Sequence, residues 1–290
     1  YLRVEPSRLG LRSGPEIALI FSDGMILQSG GGPLVRRSAA DEIVRALESA
    51  ADDAEVKAIV LRVNSPGGSS LASEQLWRAI RSARETKPVV ISMADVVASG
   101  GYYVASAADA ILAEPATLTG SIGIYLQRPS FSGLYEKLDI GTELIARGAH
   151  AGIAGSDEPL TPAQRKRTED WIRSLYDEFL DRVAEGRGVQ PQEVDRLGHG
   201  RVWLGATALG HGLVDEMGGL WAAVQRAKRE ANISEDVDPK RVLLPGPRSP
   251  GEQLRQVFRG ELQAWLVAKL FPMELPEPLT WNGLEIGGEL

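Results

Sequence analysis

A serine followed by two glycines, Ser99-Gly100-Gly101, comes shortly after the apolar run Pro88-Val89-Val90-Ile91-Ser92-Met93 and opens an alanine-rich stretch of helical character. At a strand-to-helix turn, glycines allow a tight backbone and let another chain approach closely. The helix that starts there directs unpaired N–H groups and its positive end at whatever sits above the serine. One short segment can thus supply a hydroxyl nucleophile and part of an oxyanion hole. A small-residue helix start packed against a neighbour has the same sequence, so the turn alone leaves both readings open. A second loop, Asn64-Ser65-Pro66-Gly67-Gly68, follows another apolar run. Gly67 and Gly68 can offer backbone N–H groups to an anion developing on a substrate carbonyl, and a plain turn is the alternative. No Gly-Lys-Ser/Thr follows these glycines and they match no dinucleotide fingerprint, so a phosphate site is not expected. Cysteine is absent and the histidines His150, His199 and His211 have no metal-ligand spacing, which excludes a thiol nucleophile and points away from a metal centre.

The elements that must position these loops alternate. Strands are expected at Glu16–Phe21, continued at Met25–Leu27 after the turn Asp23-Gly24, and at Lys57–Val63, 88–93 and Ala110–Ala113. Helices are expected from Ser38 or Asp41 (Ile43, Val44, Leu47 and Ala50 on one face), over 70–84 (Leu71, Leu76, Ile80, Ala83), and after Ser99. Strand-helix repetition at this spacing predicts βαβ units, hence an α/β fold with a mostly parallel sheet. Both glycine loops then fall at the C-terminal ends of parallel strands, where ligand sites of such sheets form. Downstream, the stretch 119–124 is followed by a short helix near 131–138, a strand at Glu143–Ile145 and a loop over 148–159. Thr161-Pro162-Ala163-Gln164 is a capping box that opens a long helix to about Glu185, with Trp171, Leu175, Phe179 and Val183 as its packing face. Gly186-Arg187-Gly188 stops it, and short helices are expected at 192–197 and 218–229.

The chain has 290 residues, 43% of them hydrophobic, and a net charge of -7. It can bury a proper core, and its acidity argues against a nucleic-acid partner. No apolar run approaches the length of a membrane span. The chain opens on Tyr1 and shows no signal peptide, so it is expected to be a piece of something longer whose anchor or export signal lies elsewhere. The expected organisation is a lead-in over 1–13, an α/β domain over 14–235, a Pro/Gly-rich linker over 236–251, and an amphipathic helix with an irregular tail over 252–290. That helix is expected to dock on the protein or a sister subunit, with a membrane-surface role as the alternative.

Five segments occur in an order that carries a resemblance: Leu61–Gly68, Ala98–Tyr103, Leu118–Gly123, Val183–Gly188 and Gly212–Asp215. Together they resemble the signal peptide peptidase A family, serine proteases of the S49 type, over about residues 14–230. The resemblance implies the α/β superhelix of the Clp-protease and crotonase kind. It also implies a membrane-associated oligomer at the bacterial inner membrane, with its catalytic domain on the extracytoplasmic side. Such enzymes cut hydrophobic peptides, the remnants of signal peptides, with a Ser/Lys dyad and no metal or other cofactor. By matching position, Ser99 is the nucleophile, Gly68 and Gly100 line the oxyanion hole, and Ser121 orients the lysine base.

The base itself does not carry over, because Ala151 stands in the place of the lysine, and alanine cannot accept a proton. Three explanations follow. The chain is the C-terminal half of a long-form member, with the lysine in a preceding homologous domain; or Ala151 is an engineered substitution in a one-domain enzyme; or the chain is an inactive scaffold at the membrane. A variant of the last has His150 as base, although His150 is offset by one position. The first is the favoured expectation, since the missing initiator methionine, the serine without its lysine and the trailing amphipathic helix all suit it. Gly152, departing from the acidic residue usual there, counts against the second. A rival within the fold is a crotonase-type acyl-CoA enzyme, for which Asp95 is the one carboxylate near Ser99 in sequence. His199 and His211 are assigned no role.

Overall fold

Strands whose residues are apolar on both faces, alternating with helices apolar on one, leave few arrangements besides a parallel sheet covered by helices. The computed structural model has that arrangement and describes residues 14–28, 37–148 and 150–245. The elements in order are β1 (Glu16–Asp23), β2 (Met25–Leu27), β3 (Arg37–Ala39), α1 (Ala40–Asp52), β4 (Val56–Ser65), α2 (Ser70–Arg84), β5 (Val89–Ala98) and α3 (Gly100–Ala105). They continue with β6 (Ala110–Ala113), β7 (Leu118–Gly120), α4 (Ser132–Lys137), α5 (Pro162–Arg187), α6 (Pro191–Leu197), β8 (Val202–Leu204), α7 (Gly205–Gly210), β9 (Glu216–Met217), α8 (Leu220–Glu230) and β10 (Lys240–Leu244).

The main sheet runs β10-β1-β4-β5-β6-β9, all parallel, while β7 pairs with β5 and antiparallel with β8. β5 is long enough to serve two neighbours. Val90–Ser92 pair with β6, and Val96–Ala98 pair with β7. This change of partner places the end of β5, and so Ser99, beside the end of β7.

Two apolar layers result. On one face Ile20, Ile59, Leu61, Val63, Ile91 and Met93 pack against α1, α2, α3 and the C-terminal part of α5. On the other, Ile17, Ala58, Val60, Val90 and Leu112 pack against Ala223, Val224 and Ala227 of α8. Each buried leucine or isoleucine contributes roughly 2 kcal/mol. α5 opens as expected: Gln164 N–H donates to Thr161 Oγ1 at 3.2 Å, and the Gln164 side chain accepts from Thr161 N–H at 3.0 Å. It closes on Gly188, whose φ of 67° a residue with a side chain rarely adopts.

Four expectations are corrected. Glu143–Ile145 forms no strand; Leu144 and Ile145 are exposed, with no neighbouring strand to pair with. On α5 only Phe179 and Val183 of the expected stripe are buried, and Trp171 is exposed, so the helix packs mainly through its C-terminal half. Leu71 on the first turn of α2 is likewise exposed. The stretch read as a linker from 236 contains β10, whose Lys240–Leu244 pair with Glu16–Ile20 to extend the sheet. The described residues all belong to one compact unit. The expected amphipathic helix and tail lie outside the described residues, as do the lead-in over 1–13 and the stretch 29–36.

Candidate active site

β5 ends at Ala98, and the chain turns into α3 through Ser99 with φ 51° and ψ −121°. A positive φ is strained for serine, at a cost of order 1–3 kcal/mol, and such strain gathers where a side chain must be held in one place. Two backbone bonds hold it here. Ser99 N–H donates to the Gly120 carbonyl at 2.9 Å, and Tyr103 N–H donates to the Ser99 carbonyl at 2.9 Å. The arrangement is a sharp strand-to-helix elbow with the hydroxyl at the sheet edge. No side chain among the described residues hydrogen-bonds to the Ser99 hydroxyl.

The loop after β4 comes up beside this elbow. Ile26 of β2 clamps it from both sides of Gly68: Ile26 N–H donates to Gly67 O at 2.8 Å, and Ser69 N–H donates to Ile26 O at 2.9 Å. That pattern leaves the Gly68 N–H between two engaged groups and itself without a protein acceptor among the described residues. Only glycine fits there, because a Cβ would overlap the Ile26 carbonyl. Gly100 is equally confined. A Cβ on it would lie 3.2 Å from Gly68 N and 2.5 Å from Ser73 Oγ, so the two backbones are in direct contact. The Gly100 N–H, the first of α3, has no carbonyl acceptor among the described residues either. Two unengaged N–H groups next to a strained serine are the donor set that an oxyanion requires.

Ser121 follows Gly120, the residue paired with Ala98. Ser99 and Ser121 therefore leave the ends of adjacent parallel strands together. Ser121 has a φ of 50°, and its N–H donates to Arg201 O at 2.7 Å. The structure thus brings Ser99, Ser121, Gly68 and Gly100 to one edge. Ala151 and His150 are not part of this cluster of contacts; both are exposed in a turn between β7 and α5. Asp95 is exposed on β5 and lies near Arg62, whose guanidinium donates to Ser92 Oγ and Met93 O at 2.8 Å each. His199 lies 3.5 Å from Asp195, and His211 meets the Trp203 ring edge-on at 4.6 Å. None of these three touches Ser99. Among the described residues no cluster of metal-ligating side chains is found.

α3 is gripped on two sides by residues that the sequence reading did not single out. Tyr102, fully buried, donates to Leu213 O at 2.9 Å. Beside it Arg187 forms a fork with Asp215 (2.5 and 3.1 Å) and donates to Gly212 O at 2.8 Å, while Asp215 accepts from Ile111 N–H at 2.7 Å. The segments Val183–Gly188 and Gly212–Asp215 are thus two halves of one clamp; their charged residues, Arg187 and Asp215, were the available signal. On the other side Tyr103 donates to Glu74 Oε2 at 2.6 Å, and Glu74 also accepts from Arg78 at 2.6 Å and Arg182 at 2.8 Å. Burial opposes ionisation of Glu74, but the hydrogen bonds from Tyr103, Arg182 and Arg78 outweigh it and hold the carboxyl below its usual range.

Comparison with known proteins agrees with this geometry. The profile of peptidase family S49 matches residues 81–234, more than half of the chain. The chain is 39% identical to "Serine protease SPPA, chloroplastic" of Arabidopsis thaliana over 90% of its own length and 39% of that protein's. It is 38% identical to "Protease 4" of Haemophilus influenzae over 81% of its length and 38% of that protein's. The chain therefore spans about two fifths of the length of these relatives. In fold it is similar to a mutant of a membrane-bound stomatin-specific protease, with a TM-score of 0.54 at 14% identity, covering 81% of this chain and 100% of that one. That likeness is in the ClpP-like α/β architecture that the family resemblance implies, and it agrees with the mostly parallel sheet expected from the alternating elements. With the strained Ser99 and its two free N–H groups at the edge of such a sheet, and with these matches along most of its length, the chain belongs to peptidase family S49.

Proposed function

We propose that this chain is the serine-bearing domain of a serine endopeptidase acting on hydrophobic peptides such as signal-peptide remnants. The observation that carries it is Ser99, held at positive φ beside the unengaged N–H groups of Gly68 and Gly100. Ser99 Oγ adds to the scissile carbonyl carbon while its proton passes to a neutral lysine amine. The carbonyl oxygen, now negative, accepts from the two N–H groups. Collapse expels the amine product, which takes the proton from the lysine, and leaves an acyl ester on Ser99. Water, deprotonated by the same lysine, then releases the acid. The lysine comes from another domain, since Ala151 cannot serve, and Ser121 fixes its orientation. Such an amine must be desolvated to be neutral at working pH.

The region between β7 and α5 supports a site completed from outside. It exposes Tyr125 (87%), Leu144 (63%) and Ile145 (91%), apolar surface of the kind that another subunit or domain covers. Membrane association, with the catalytic domain on the extracytoplasmic side, would come through segments outside those described; no described helix is long and apolar enough to cross a membrane. We take the catalytic domain to run from residue 14 through β10. A fluorophosphonate probe tests the reading. The protein supplied with its lysine-bearing domain is expected to form an adduct that mass spectrometry maps to Ser99 and that Ser99→Ala abolishes. An adduct on a different residue, or none, would overturn it.

A further inference from the structure

The two halves of the oxyanion hole arrive on different elements, Gly68 on the loop leading into α2 and Gly100 on α3. Something must fix one helix against the other. Two contacts along their interface do so, backed by two side chains of α5. Nearest the site, Ser73 on the first turn of α2 donates to Ser69 O at 3.0 Å and presses its Oγ on Gly100. One residue on, Glu74 accepts the Tyr103 hydroxyl at 2.6 Å. Tyr103 is a link with two ends, since its N–H holds the Ser99 carbonyl at 2.9 Å. Behind it Arg182 of α5 donates to both oxygens of Glu74 (2.8 and 3.2 Å) and lies over the Trp77 ring of α2, 4.4 Å from its centre. Phe179 stacks against Tyr103 with ring centres 4.9 Å apart.

We propose that Glu74 and Tyr103 are positioning residues that hold the oxyanion loop in register with the nucleophile turn. The inference rests on the reading of Ser99 as nucleophile. The carboxylate has three donors converging on it from α2, α3 and α5, more than it needs to be soluble at a surface. One of them, the Tyr103 hydroxyl, is tied through its own backbone to the residue that attacks. Burial, and after it the neighbouring Glu74 carboxylate, keep that phenol protonated, so it remains a donor across the working range. Loss of the bond would let α3 shift against α2 and spoil the spacing of the two N–H groups from Ser99. Misplacement on the scale of 1 Å costs up to about a hundredfold in rate.

The test measures the rate constant for fluorophosphonate labelling of Ser99 in the protein carrying its lysine-bearing domain. It compares wild type, Tyr103→Phe, Glu74→Gln and the double variant, with thermal melts of each. Asp109→Asn serves as a control, because it weakens the Arg84–Asp109 ion pair (2.7 Å) far along α2 from the site. Tyr103→Phe and Glu74→Gln are each expected to label about tenfold more slowly. The double variant should be no slower than the slower single, the mark of one shared interaction. The control should lose melting temperature and keep its labelling rate. Variants that melt lower yet label at the wild-type rate would reduce the pair to a structural contact and overturn the proposal. So would effects that multiply in the double variant. A wild type that does not label at Ser99 refutes the nucleophile itself, and the positioning role falls with it.

Discussion

The surroundings of Ser99 and the segment between β7 and α5 are built by opposite rules. Around Ser99 the chain is over-determined. β5 is paired on both sides, α3 is fully buried, and Tyr102 and Tyr103 tie it to the loop carbonyl of Leu213 and to a carboxylate on α2. Between β7 and α5 there is one short helix, α4, with no buried residue, and large apolar side chains face outward. On the reading proposed here, the nucleophile and its oxyanion donors are both supplied by this rigid part of the chain. The stretch in which the family resemblance expects the base carries Ala151 at that position and leaves most of its large apolar side chains exposed. A split of this kind is what a site shared between domains requires, with rigid geometry on the side that must resist charge development and unsatisfied surface on the side awaiting a partner.

The sharpest way to break that comparison is at Gly68. Gly68→Ala forces a side chain against the Ile26 carbonyl at a positive φ and displaces the donor. A loss of about a hundredfold to a thousandfold in Ser99 labelling is expected, as for removal of one oxyanion donor. Next in size is the Arg187–Asp215 clamp. Arg187→Met removes charged hydrogen bonds at a side chain only 11% exposed and should cost about 2 kcal/mol in urea unfolding.

A smaller effect concerns pH. Glu74 sits below its ordinary value in the folded chain, so its contribution is present above the unfolded carboxyl range and is lost as pH falls through the folded value. The stability gap between wild type and Glu74→Gln should therefore be full at neutral pH. It should narrow in melts taken below about pH 4. The smallest effect is expected from the outward apolar residues. Leu144→Ser with Ile145→Ser should change the stability of this chain by less than about 0.5 kcal/mol. The same pair should weaken its association with the lysine-bearing domain, measured by sedimentation. A large destabilisation of the chain alone would mean that this surface is already part of its fold.

Much of the architecture was legible because its periodicities are long and strong. Val56–Ser65 and the apolar faces of α1 and α2 could hardly read otherwise, and the capping box at Thr161 and Gln164 fixed the start of α5. The Ser99-Gly100-Gly101 turn and the Gly67-Gly68 loop stood out by local composition, whereas Ser121 entered through the family resemblance alone. What escaped depends on partners distant in the chain. β10 is short, lies in a proline-rich stretch, and becomes a strand only by pairing with β1 more than two hundred residues earlier. Glu143–Ile145 has a strand's composition but pairs with no described strand, and Trp171 sits on the mostly exposed N-terminal half of α5. The Glu74–Tyr103 bond joins α2 to the segment after Ser99, a proximity that neither segment reveals in sequence.

The measurement that tests the central claim most directly is hydrolysis of a fluorogenic hydrophobic peptide by two preparations, this chain alone and the chain joined to its lysine-bearing domain. Turnover only in the joined protein, abolished by Ser99→Ala, is the result a shared Ser/Lys site predicts. Turnover by the isolated chain at a comparable rate would contradict it, since Ser99 would then be activated from within and His150 would become the base to remove next.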